Sequence, residues 1–184
     1  MRSRACGALL LVAACALGCS DHAADNSNFV RGRGLPVATL APTAEAGAVD
    51  AAIRAAFDMD PSLVLMVHPR RLPRTEGYEG GDSLSPALAA ALRHGDLLRG
   101  TCEPKHDAPH DTPRCPVAQA GYVVRISDVF QGKGDTLQLN FAAEKFAAAT
   151  GLKPEALRFE KIYQLERKDT GWRVVREARM RDGP

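Results

Sequence analysis

From Tyr122 to Ala178 the chain alternates apolar and polar residues in four runs separated by turn-forming residues. Tyr122, Val124 and Ile126 alternate with Val123, Arg125 and Ser127. After the turn Gly132-Lys133-Gly134-Asp135, Leu137, Leu139 and Phe141 alternate with Gln138 and Asn140. Phe159, Tyr163 and Leu165 alternate with Glu160, Ile162 and Gln164. Lys168-Asp169-Thr170-Gly171 then leads into Trp172, Val174, Arg176 and Ala178. A period of two sends successive side chains to opposite faces of a strand, so each run predicts a half-buried strand. Four successive strands with short turns predict an antiparallel meander, one face covered and one face wet. The Ala-rich stretch Ala142 to Thr150 suits strand and helix alike, and Gly151-Leu152-Lys153-Pro154 breaks it.

The cover is expected upstream. Thr43 can cap a helix that starts at Ala44. Val49, Ala52, Ile53, Ala56 and Phe57 fall at i, i+3, i+4, i+7 and i+8, one apolar stripe. Asp50 and Arg54 can pair on the outer side, and Asp58-Met59-Asp60-Pro61 ends the helix. Leu63 to Val67 reads as a short buried strand, and Pro69 to Ser83 as a loop. Ser85-Pro86 opens a second, short helix, with Leu88, Ala91 and Leu92 inward and Gly95 as its stop. The expected fold class is α+β: N-terminal amphipathic helices packed on a C-terminal four-stranded antiparallel meander. That order is architecturally similar to cystatin-like and NTF2-like folds. No motif residues carry the likeness, and a fold alone assigns no function.

The first nineteen residues speak of location. Arg2 and Arg4 precede the apolar run Ala5 to Leu17, which ends Ala16-Leu17-Gly18-Cys19. A basic start, a short apolar middle and small residues before a break describe an export signal. The run is shorter than the ~20 apolar residues of a spanning helix. Its end resembles the lipobox of bacterial lipoprotein precursors, although Ala16 stands where that box prefers Leu. Val12-Ala13-Ala14-Cys15 is a second fit, and plain signal-peptidase cleavage nearby is the alternative. Cys19 is preferred, because it leaves a fuller apolar core and precedes polar Ser20-Asp21-His22. The resemblance implies a signal peptide over 1–18 and acylation of Cys19, with palmitate among the chains. It also implies a firm anchor, since each buried CH₂ contributes ~0.8 kcal/mol. In Gram-negative lipoproteins Asp directly after the cysteine marks retention in the inner membrane, so with Ser20 there the resemblance implies the outer membrane, with the domain in the periplasm.

Residues 19–42 then read as the lipidated cysteine and a flexible tether, and 43–184 as one domain. Asp21 to Pro42 has no sustained apolar period and could reach ~75 Å if fully extended. Arg31 and Arg33 could touch anionic lipid, or simply be solvated. Loss of Arg2 and Arg4 with the signal lowers the 24 basic side chains to 22, which balances the 22 acidic ones. A formally neutral domain argues against a nucleic-acid partner, which wants a basic face. One Trp and three Tyr make an aromatic ligand platform a poor expectation.

Cys102 and Cys115 flank a polar loop with three prolines. Exported thiols in such a pair form a disulfide. The rival is a metal site. Cys102, His106, His110 and Cys115 spell C-x3-H-x3-H-x4-C, with Asp107 and Asp111 alongside, and zinc or copper takes such ligands. His106 and His110 could also bind metal beside an intact disulfide. Pro104 and Pro109 weigh against a helix that would set the histidines on one face.

Elsewhere the charges read as structural. His68 ends an apolar run, and Arg70 and Arg71 read as solvated loop charges that could alternatively hold an anion. His94 suits the last turn of its helix. Arg173, Arg176, Arg179 and Glu177, beside Glu160 and Glu166, read as a salt-laced wet face, with a carboxylate-binding groove as the alternative. No nucleophile elbow, zincin motif or phosphate loop is present, and the positions of Asp128, Glu144 and Glu160 indicate no site. The sequence therefore points away from an enzyme. The leading expectation is a membrane-anchored lipoprotein whose domain binds an envelope protein or a small ligand without catalysis and without a cofactor. The alternatives are a metal-binding protein working through His106 and His110, and a hydrolase with a dispersed site.

Overall fold

A computed structural model describes residues 34–57, 63–73, 81–93, 97–105, 112–148, 157–169 and 171–179. The elements run α1 (Pro42–Phe57), β1 (Val64–Val67), α2 (Pro86–Arg93), β2 (Leu98–Thr101), β3 (Gly121–Gln131), β4 (Thr136–Phe146), β5 (Arg158–Lys168) and β6 (Gly171–Arg179). Pro42 opens α1, where a missing N–H costs nothing. Glu45 in its first turn and Arg54 in its last both suit the helix dipole. The buried stripe is Ala48, Val49, Ala52 and Ile53. The N-cap of α2 is Ser85, whose Oγ accepts the Leu88 N–H at 3.1 Å.

The strands form one six-stranded mixed sheet in the order β2-β1-β3-β4-β5-β6. This corrects the expected four-stranded antiparallel meander under N-terminal helices, and the likeness to cystatin-like and NTF2-like folds falls with it. β1 pairs in parallel with both β2 and β3, and only β3 to β6 are joined antiparallel. The alternation signal is local, whereas a parallel partner comes from a distant part of the chain. β2, with the sequence Leu-Arg-Gly-Thr, has no alternation to announce it. The ambiguous Ala-rich stretch continues β4 as far as Phe146.

Gly121 shows how closely the added strand approaches. A Cβ there would lie 2.0 Å from the Val64 carbonyl oxygen, so only glycine allows β1 to lie against β3 at this point.

Two apolar clusters flank the sheet. The larger one joins Ala48, Val49, Ala52 and Ile53 of α1 to Leu65, Val67, Val124, Ile126, Leu139, Phe141, Tyr163 and Leu165 of the sheet, with Leu88 and Leu92 from α2. Fully burying one such side chain contributes ~1.5–3 kcal/mol. The few aromatics concentrate here: Phe57 lies 5.1 Å from Tyr122, 6.2 Å from Phe141 and 5.8 Å from Phe159 between ring centroids. Trp172 ties β6 to α1 by donating its indole N–H to the Ala44 carbonyl at 3.0 Å. The smaller cluster, on the other face, joins Met66, Val123 and Phe146 to Cys102 and Cys115.

Candidate ligand-binding cleft

α1 and α2 meet through small residues, and the gap this leaves is a cleft of about 460 Å³ lined by Thr43, Ala46, Gly47, Asp50, Ile53, Ala91, Leu92, Leu97 and Leu98. Its floor is the buried trio Ile53, Leu92 and Leu98. Ala46 and Ala91 bring too little side chain to fill the space between the helices, and a Cβ at Gly47 would meet Trp172 at 3.4 Å. Among the described lining residues Asp50 is the charged one, and its carboxylate accepts from Arg54 Nε at 2.7 Å on the outer side. The volume is that of a small-molecule site, and an apolar wall with few polar groups is how such sites gain affinity.

Below α1 lies a polar cluster made by a bulge in β3. Ser127 and Asp128 together oppose Asn140, which keeps Ile126 and Val129 both in the larger core. Ser127 Oγ accepts the Asn140 backbone N–H at 3.0 Å. Arg71 enters from the segment after β1. It lies 2.7 Å from Glu45, 3.4 Å from Asp128 and 2.9 Å from the Ser127 carbonyl that it donates to. The three charged side chains are 12–16% exposed. Arg71 is thus no solvated loop charge: it pins the first turn of α1 to the bulge.

The sheet face away from the helices is polar at its centre. Gln138 and Asn140 are buried there, with a Gln138 Nε2 to Asn140 Oδ1 contact at 3.5 Å. The register places Arg125, Ala142 and Glu160 in one row and Val123, Glu144 and Arg158 in the next. Arg125 Nε donates to the carbonyls of Arg70 at 3.2 Å and Arg71 at 3.0 Å. Burial, followed by the charges of Arg158 and Arg70, lowers its pKa. His68 sits beside this group, its Nδ1 accepting the Arg70 N–H at 3.0 Å. Burial first and Arg125 second hold its pKa below the ordinary histidine value.

The residues singled out from sequence fall into three groups. Cys19, His94, His106 and His110 lie outside the described residues. Cys102 and Cys115 come together with their sulfurs at 2.01 Å and their Cα atoms 6.0 Å apart. The neck of their loop is closed by paired backbone hydrogen bonds between Lys105 and Arg114, and Ala147 N donates to the Pro113 carbonyl at 2.8 Å, which stitches the loop to the end of β4. Among the described residues no three or more His, Cys, Asp and Glu side chains gather as a metal ion requires. Asp128 stands with Arg71, apart from Glu144 and Glu160, which occupy adjoining rows of the sheet. Across β5 and β6, Glu166 lies opposite Arg173 and Arg176 opposite Gln164.

The cleft carries no sequence signal: Ala91 reads as an inward residue of its helix, and Ala46 and Gly47 fall outside the apolar stripe. Comparison with protein-family models, with curated proteins and with solved structures gave no match. Function is therefore argued from geometry.

Proposed function

We propose that this chain is an exported lipoprotein, anchored through acylated Cys19, whose domain binds a small, largely apolar ligand in the cleft between α1 and α2. The cleft is the observation that carries the binding role: it has ligand-sized volume, an apolar floor and, among the described residues, one carboxylate at its wall. The binding role is also favoured over catalysis by how the charged groups of the polar cluster below α1 are used. Arg71, Glu45 and Asp128 are engaged with one another. The N-terminal signal and the paired cysteines support an oxidising compartment. The proposed place is the periplasmic side of the outer membrane.

A titration with the apolar fluorophore N-phenyl-1-naphthylamine tests the site. The expected result is saturable one-to-one binding, weakened about tenfold in Ala91→Phe, whose ring fills the cleft, with an unchanged urea midpoint. Binding that does not saturate, or that Ala91→Phe leaves intact, contradicts the assignment.

A further inference from the structure

β6 is the terminal strand of the sheet, and among the described residues it pairs with β5 alone. Along its 9 residues the outer backbone edge offers N–H and C=O groups to a further strand. An open edge of this kind is a template for strand addition.

The charges on β6 select what can add. The strand carries Arg173, Arg176 and Arg179 against one acid, Glu177. The acids available across the strand are already engaged. Glu166, opposite Arg173, lies 3.3 Å from Lys168, and Glu177 lies 2.9 Å from Lys161. Arg179 faces Lys161, a like charge, across the ladder. Arg173 and Arg179 are both exposed and form no ion pair among the described residues. Between them Val175, at the irregular step in the ladder, is 38% exposed.

We propose that the β6 edge accepts an extended acidic segment of a partner protein as a seventh strand. Its backbone would hydrogen-bond to β6, and its carboxylates would meet Arg173 and Arg179. A second copy of this chain fits the edge poorly. Two β6 strands crossing at Arg176 would set arginine against arginine. Crossing at Val175 would set Arg173 against a Glu177 that Lys161 already holds. Arginines here disfavour self-pairing while admitting an acidic strand.

The test uses the full mature chain in detergent micelles and a fluorescein-labelled nine-residue peptide of alternating Val and Thr with Glu near each end. Fluorescence polarisation is expected to show saturable binding, weakened about tenfold by Arg173→Glu/Arg179→Glu and by N-methylation of alternate peptide residues. Both substituted positions are exposed, and an unchanged urea midpoint confirms the fold of the variant. The proposal is overturned by equal binding of a Lys-for-Glu peptide, by indifference to N-methylation, or by sedimentation as a dimer that Arg173→Glu/Arg179→Glu dissociates.

Discussion

Arg71 is the side chain that most closely couples helix to sheet. With Glu45 on one side and Asp128 on the other, it neutralises two carboxylates that are largely shielded from water. Replacing it with Met leaves those charges without their shared cation, a change that costs roughly 3 kcal/mol. Urea unfolding of Arg71→Met should show that loss, and a cost under about 0.5 kcal/mol, as for an ordinary surface site, would contradict the role. Tyr163 is the opposite case. It is fully buried, and its hydroxyl has no partner among the described residues. Burial first and Glu177 second push its pKa up, so the phenol stays protonated. Tyr163→Phe removes an unsatisfied group and should raise stability by about 1 kcal/mol. A loss of stability in the same assay would show that the hydroxyl has a partner. His68 sets a pH dependence. Its folded pKa lies below 6.5, so its contribution is fully present above the unfolded value and is lost as pH falls through the folded one. Unfolding free energy measured between pH 8 and pH 5 should fall on the acid side, and His68→Gln should flatten that part of the curve. An unchanged slope would contradict the assignment. The inward place of Tyr163 and the core-edge place of His68 are legible in sequence, whereas the role of Arg71 is not, because Glu45 and Asp128 come from distant elements.

At the scale of elements, period-two alternation made the four long strands readable, each with one polar and one apolar face. The parallel pair escaped for a physical reason. β1 is apolar on both sides because each face meets a cluster, so it reads as buried without revealing its neighbours. Gly121, the residue that permits the close approach, carries no pattern of its own. Gly121→Ala should force β1 away from β3. Hydrogen exchange should then quicken at Met66 and Val67 and across β2, while Leu139 and Tyr163 in the antiparallel part stay protected. Uniform protection would mean that the β1 contact tolerates a side chain. The cleft escaped for a related reason. Small residues carry no periodic signal of an unfilled space, and the cleft emerges only when α1, α2, Leu97 and Leu98 are brought together.

For the whole molecule, the first nineteen residues and the described domain address different questions. The former carry the proposed export and anchoring signal; the latter offers an apolar cleft, a polar sheet face and an open basic edge. Among the described residues no helix is long and apolar enough to cross a membrane; the proposed anchor is acylated Cys19. The proposed function needs both that anchor and the cleft. Native mass spectrometry of the protein extracted from its membrane tests both at once. The expected species is a chain that begins at Cys19, bears acyl groups, and carries a small apolar adduct absent from Ala91→Phe. An unacylated chain, or an adduct that Ala91→Phe retains, would contradict it.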